Sequence, residues 1–357
     1  MKLTKRLIFV MLLVIGAVQV LADENDTSET TTTTTTQYGL SADEIAAIDV
    51  AEWERPTPNE DLMHDRWYKR VDGRVQVYDA PGGNPKRIIE EGFNYVTALQ
   101  EENGWTRING DEWVQTANLT NTNSVVSSFT GFMLPEEMSD DYTLAWSLVN
   151  QYPSPEPGAG PSERFDLILR YTPLRIYASH QIDDIRWYQI SADEWVHQYR
   201  VSKVLPVAEI PEGVETDIWI SIDLYEQNII AYEGNTPVFT TLVSTGLPRW
   251  PTYEGLFRVY YRNPREYMSW GEVGDDFYSL EEVPWTMYFD EGRAIHGAYW
   301  HDGLGYRRSH GCVNLSITDS KWMYDWVREF MGGKNKSADI EEGPFVYVYS
   351  SDEYTDS

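Results

Sequence analysis

The chain of 357 residues carries 57 Asp and Glu against 28 Lys and Arg, a formal net charge of −29, with 41% hydrophobic and 14% aromatic residues. That balance argues against nucleic acid or anionic lipid as partners and favours cationic or amine-bearing ones, or solubility alone. The apolar content suffices for sizeable cores in two or three domains, and the single cysteine, Cys312, excludes a disulfide within the chain, so packing must hold the fold.

In chain order, residues 1–22 have signal-peptide proportions. Lys2, Lys5 and Arg6 precede the apolar run LIFVMLLVIGAVQVLA, and Val20 and Ala22 supply small residues before a cleavage point. The run is short for a membrane span, which implies an exported protein, in the cell wall, periplasm or medium, with no stable membrane span after cleavage. Residues 23–62 begin acidic and pass through seven threonines, a composition that predicts a disordered acidic, Thr-rich linker. Within it SADEIAAIDVAEW (41–53) fits a short helix, with Ser41 as N-cap and Glu44 at the third helical position.

Residues 63–150 and 165–215 carry an imperfect repeat. WTRINGDEWVQT from Trp105 and WYQISADEWVHQ from Trp187 share W-x-x-I-x-x-D-E-W-V at a spacing of 82 residues, and VQVYDAP from Val75 matches LRIYASH from Leu174. Alternating apolar residues broken by Gly, Pro and Asn predict two small antiparallel barrel-like modules, joined by the Pro/Gly-rich linker 151–164. The words resemble bacterial Src-homology-3-like modules, which implies either binding of cell-wall peptide or a spacer role.

From 216 to 350 the texture is mainly β. DIWISIDLYEQNIIAYEGNTPVFTTLVSTG predicts two or three paired strands with EQN and EGN turns, and GLFRVYYR, WTMYFDEGRAIHGA and PFVYVYSS continue the sheet. SITDSKWMYDWVREFMGG predicts one short helix capped by Ser316 or Thr318, with Trp322, Met323, Trp326 and Phe330 facing the core and Gly332 as the stop. Residues 351–357 form an acidic tail.

The chemistry gathers around RRSHGCVNLS (307–316). Three of the six histidines, His296, His301 and His310, fall within fifteen residues of one another and close to Cys312. A free thiol is only a few per cent thiolate at neutral pH, and a nearby imidazole removes that obstacle by taking the proton. Spacing leaves two bases nearly level. His310 is two residues from the thiol, and His296 reaches it if neighbouring antiparallel strands carry the two. Gly311 implies a turn or a close backbone approach.

HGAYWHDGLGYRRSHGCVN matches H-G-x…S-H-G-C-x-N and resembles the active-site signature of YkuD-type L,D-transpeptidases, exported bacterial enzymes that remodel peptidoglycan. ISIDLYEQNIIAYEGNTPVFTTLVSTG and PTYEGLFRV also resemble that family's opening strands and turn, so the resemblance covers about residues 216–350. It implies a β-sandwich with a short helix, Cys312 as nucleophile and His296 as general base. It further implies that the Gly297 carbonyl orients the imidazole, that Gly311 and Cys312 N–H groups form the oxyanion hole, and that Ser309, His310 and Asn314 shape the pocket. Tyr299 and Trp300 are expected to wall the groove, with packing into the core equally consistent. EYMSWGEVGDDFYSLEEVPW (266–285) would be a flap over the site.

The implied reaction transfers the third residue of a peptidoglycan stem from D-alanine to an amine of another stem, without cofactor or metal. Water as acceptor would make a carboxypeptidase. Zinc on His296, His301, His310 and Cys312, with Asp302 as a further candidate, has suitable residue types but a spacing that fits no known metal motif. The same residues would also suit an inert buried thiol, or a wall-binding protein without catalysis. His301 is expected to face solvent in its loop.

Overall fold

In the computed structural model, which describes residues 38–122, 125–331 and 343–352, the fold is mainly β, with one long helix. The expected signal peptide, the threonine run, the stop at Gly332 and residues 353–357 of the tail lie outside the described residues.

Residues 38–62 correct the expectation of a disordered linker. Ser41 and Glu44 form the expected capping box on α1 (Ala42–Ala46), and α2 (Glu60–Met63) buries Met63. Leu40 exchanges two hydrogen bonds of 2.7 Å with the Gln189 side chain, and Trp53 packs on Phe132 at 5.1 Å. Composition misleads here because the few apolar residues, Ile48, Trp53, Leu62 and Met63, enter cores built by later parts of the chain.

The repeat is real in local structure. The first unit comprises β1 (Trp67–Val71), β2 (Val75–Tyr78), β3 (Pro85–Ile89), β4 (Phe93–Glu102), β5 (Trp105–Ile108), β6 (Glu112–Gln115) and β7 (Leu119–Asn121). After β8 (Phe132–Met133), the second comprises β9 (Thr143–Ser147), β10 (Pro173–Ile176), β11 (Ala178–Ile182), β12 (Ile185–Ser191), β13 (Glu194–His197) and β14 (Val201–Lys203). In both, the W-x-x-I and W-V words pair as a hairpin, followed by a 3-10 turn and a short strand that returns to the unit's first strand, β7 to β1 and β14 to β9. Each unit surrounds its own apolar cluster, around Val77 and Ile108 in one and around Leu174 and Val196 in the other.

That pairing moves the second unit's first strand to β9, upstream of residue 165. Residues 151–164 are accordingly not a free linker: Gln151 exchanges backbone hydrogen bonds with Ile168, and Ser154 with Trp195. Pro and Gly residues mark the turns of this segment, but its polar backbone finds partners on the unit it crosses.

The remaining strands are β15 (Ile218–Asp223), β16 (Asn228–Glu233), β17 (Thr236–Leu242), β18 (Gly255–Arg258), β19 (Tyr261–Trp270), β20 (Tyr278–Asp290), β21 (Arg293–Gly297), β22 (Val313–Leu315) and β23 (Phe345–Tyr349), with α3 (Ile317–Phe330) between the last two. One sheet runs β18-β23-β15-β16-β17-β8. Its alternation serves two cores: Ile220, Ile222, Ile229 and Ala231 enter one, and Trp219, Ile230 and Tyr232 enter the other. Both faces are therefore buried.

The second sheet runs β22-β21-β20 and continues into the first repeat unit, because β20 pairs in parallel with β4 over Tyr278–Leu280. Helix α3 is capped by Ser316, whose hydroxyl accepts from Asp319 N–H at 3.1 Å. Its buried apolar face is Ile317, Met323, Tyr324 and Val327, whereas Phe330 is exposed, contrary to expectation. Trp322 and Trp326 stack on each other, and Trp322 stacks on Phe239 across to the first sheet.

Candidate active site

β21 carries His296, the residue singled out as base, and Cys312, singled out as nucleophile, directly precedes β22; the two strands run parallel rather than antiparallel. His296 stands opposite Asn314, and Ile295 opposite Val313. A parallel neighbour requires a crossover, supplied here by residues 298–312. Cys312 and Asn314 are two apart and so share a strand face, while His296 faces the same cavity from β21.

The turn before Cys312 is pinned from several sides. The Ser309 hydroxyl accepts from Gly311 N–H at 3.1 Å and donates to the Cys312 carbonyl at 2.5 Å. The Thr252 hydroxyl accepts from Gly246 N–H at 3.0 Å and donates to the Gly311 carbonyl at 2.8 Å. Gly311 has φ 107°, and a Cβ there would lie 2.9 Å from Nε of Arg293, so both backbone angle and space demand glycine. The Gly311 N–H, expected in an oxyanion hole, is engaged by Ser309 in this structure. The His310 ring is stacked on Trp250 at 3.7 Å, with Tyr278 and Trp270 beside it.

His296 is buried, and its Nδ1 lies 3.0 Å from the Gly297 carbonyl. A carbonyl only accepts, so Nδ1 carries the proton and Nε2 is left basic. Burial pushes this imidazole down to about 4, against the opposing effect of that hydrogen bond. Burial also pushes the Cys312 thiol up, partly offset by an N–H of Ala294 on the sulfur and by the Arg293 guanidinium. At neutral pH the pair is therefore thiol and neutral imidazole.

Both residues line a cavity of about 570 Å³ with Trp300, His301, Ser309, His310 and Asn314. Apolar walls come from Leu247, Met268, Tyr278, Leu280 and Phe93. Residues 266–285 do form a hairpin at the cavity, built from β19 and β20, with its tip at 271–277. Tyr299 does not wall the cavity. It is fully buried, stacked on Tyr68 at 3.6 Å, and its hydroxyl donates to the Glu281 carbonyl at 2.8 Å. The bend after β21 turns the two neighbours apart, and of the pair only Trp300 lines the cavity.

His301 corrects the expectation of a solvent-facing loop residue. Its Nδ1 accepts from Gly303 N–H at 3.0 Å, and its Nε2 is 2.9 Å from the Asn314 amide nitrogen. With both ring nitrogens engaged it is not poised as a zinc ligand, and among the described residues no three His, Cys, Asp or Glu side chains converge on a metal position. Phe93, Trp250 and Arg293 join the site without any local motif to mark them in the sequence, although Trp250 lies beside the PTYEGLF turn.

Residues 217–346 match the YkuD family, described as the L,D-transpeptidase catalytic domain. The provisionally named L,D-transpeptidase YciB of Bacillus subtilis (strain 168) is 29% identical over 136 residues, 34% of this chain and 66% of that protein. L,D-transpeptidase 1 of Mycobacterium tuberculosis (strain ATCC 25618 / H37Rv) is 29% identical over 170 residues, 43% of this chain and 67% of that protein. The chain thus spans only about two thirds of the length of these relatives. The NMR structure of the catalytic domain from E. faecium L,D-transpeptidase is 24% identical, with a TM-score of 0.31, covering 38% of this chain and all of that one. Residues 217–346 are a YkuD L,D-transpeptidase catalytic domain.

Proposed function

We propose that the protein is an exported peptidoglycan L,D-transpeptidase in which Cys312 is the nucleophile and His296 the general base. The observation that carries this reading is the parallel pairing of β21 with β22, which brings a buried thiol and an Nδ1-protonated imidazole into one cavity. As the thiol attacks the carbonyl of the third stem residue, its proton passes to Nε2 of His296. The tetrahedral intermediate collapses to a thioester, and the imidazolium returns the proton to the departing D-alanine amine. An amine of another stem then attacks the thioester and gives up a proton to His296, and the imidazolium passes that proton to the departing Cys312 sulfur, restoring the thiol. The Gly297 carbonyl holds the imidazole in the required tautomer throughout.

Arg307 and Arg308 line the cavity of a protein with net charge −29. Positive charge at that point suits the carboxylates of a stem peptide. Trp300 and Phe93 offer apolar contact to the peptide's side chains.

Incubation with a disaccharide-tetrapeptide followed by mass spectrometry tests the reading. The expected product is a cross-linked dimer with loss of D-alanine, absent from Cys312→Ala. Tripeptide alone would replace transfer by carboxypeptidase action with water as acceptor. Unchanged substrate would leave a wall-binding protein in its place, and full cross-linking by Cys312→Ala would remove Cys312 as the nucleophile.

A further inference from the structure

His301 is placed between two partners whose chemistry fixes its state. The Gly303 N–H can only donate, so Nδ1 of His301 is an unprotonated acceptor. A neutral imidazole with a bare Nδ1 carries its proton on Nε2. Burial, the Arg308 guanidinium and His296 all disfavour the cation, pushing this imidazole down to about 3. Yet the atom 2.9 Å from that Nε2 is the amide nitrogen of Asn314, another donor, while the amide oxygen is buried with no hydrogen-bond partner. Two donors face each other and an acceptor is left orphaned. Exchanging the amide oxygen and nitrogen removes the clash of two donors, since these two atoms are told apart only by their partners. The oxygen then accepts from Nε2–H. The NH₂ takes the other position, where the oxygen had found no donor.

The backbone of Asn314 cannot follow its side chain elsewhere. Its N–H and carbonyl both pair with Ser244 at 2.9 Å, and it stands opposite His296 in the strand pair. It lines the same cavity as the thiol two residues before it. A buried NH₂ without a protein acceptor costs stability unless a ligand oxygen supplies one.

We infer that His301 is a positioning residue whose Nε2–H holds the Asn314 amide oxygen, so that the amide NH₂ serves as a hydrogen-bond donor to an oxygen of the acyl-donor peptide beside Cys312. This rests on the transpeptidase reading for the identity of the peptide, but the tautomer and the amide orientation do not.

Two measurements on the full chain test it. Heteronuclear NMR of isotope-labelled histidine, with His301 assigned from its loss in His301→Gln, should show the Nε2–H tautomer at neutral pH. An Nδ1–H or doubly protonated ring overturns the inference. In steady-state turnover of a disaccharide-tetrapeptide, Asn314→Asp keeps the shape and the acceptor but loses the donor, and should lower kcat/KM about 100-fold. His301→Phe should lower kcat/KM about tenfold, while His301→Gln, whose amide N–H can replace Nε2–H, should stay within about threefold of the native protein. Alkylation of Cys312 by iodoacetamide should be unchanged in the two His301 variants. Native turnover in His301→Phe, equal impairment of Gln and Phe, or a parallel loss of alkylation overturns the positioning role. A native chain that turns over no peptide sinks the transpeptidase reading instead, and the NMR result then decides the tautomer alone.

Discussion

Phe93 and Tyr278 are partners in a parallel strand pair, and both line the cavity that holds Cys312. The first belongs to the amino-terminal repeat unit and the second to the hairpin over the site. The hairpin is therefore tied to the first unit by the strand pairs Phe93–Tyr278, Asn94–Ser279 and Tyr95–Leu280, and by the Phe93 N–H on the Phe277 carbonyl at 3.0 Å. Phe93→Ala removes one apolar wall while keeping these backbone bonds. We expect KM for the donor peptide to rise about tenfold with kcat little changed, as for other apolar contacts in a substrate pocket. Steady-state kinetics check this, and an unchanged KM would remove Phe93 from the site.

The neutral state of the Cys312 and His296 pair has a pH signature. Burial raises the thiol and lowers the imidazole, so no thiolate–imidazolium pair forms in the free protein. Alkylation of Cys312 by iodoacetamide should keep climbing with pH beyond the range of an ordinary thiol, and His296→Ala should leave that curve nearly unchanged while reducing acyl transfer by about a hundredfold or more. A plateau of alkylation on the acid side of neutrality would contradict the neutral pair.

Gly297 lies against α3. A Cβ there would stand 2.6 Å from Oγ of Ser320 and 3.2 Å from Cα of Ile317. Gly297→Ala should cost about 1–3 kcal/mol by overpacking. Adding Ser320→Ala removes the nearest atom and should restore part of the loss. Urea denaturation of the single and double variants measures both, and an additive double variant would show that the crowding lies elsewhere.

Glu281 sits where the hairpin meets the first unit, accepting from Thr97 N–H at 2.9 Å and from the Asn109 amide at 3.0 Å. Burial raises its carboxyl from 4.5 to about 7, against the Thr97 hydrogen bond and Arg87 and with the help of Glu282 and Glu112. Between those two values the folded chain binds the proton and the unfolded chain has lost it, so this group's contribution to stability falls as pH rises through the window. Glu281→Gln should therefore gain on the native protein at about pH 8 relative to about pH 5, by roughly 3 kcal/mol at most. Thermal unfolding at the two pH values decides it, and a gain confined to the acid side would reverse the sign.

Much of the site was legible because its signals are local. The run Ser309, His310, Gly311, Cys312 and Asn314 is one continuous turn and strand, and the alternation in IWISID and NIIAYE marks strands with two buried faces. The capping box at Ser41 and Glu44 and the repeated hairpins likewise need only neighbouring residues. Misreadings arose where a distant partner decides. Residues 38–62 look too polar to fold until Trp53 meets Phe132. Tyr299 looks like a cavity wall until Tyr68, 231 residues upstream, covers its ring.

The sequence alone determined which atoms could do chemistry: one thiol, three clustered imidazoles and a glycine turn, together with the β periodicity that must carry them. Only the tertiary structure decided that β21 and β22 run parallel, that Thr252 and Arg293 brace the turn before Cys312, and that Phe93 closes the cavity from another unit. It also half-buried His301 and set it against Asn314. The physical reason is one of range. Propensity and periodicity act over a few residues, whereas burial and hydrogen-bond partners are assigned by strand pairings between segments far apart in the chain.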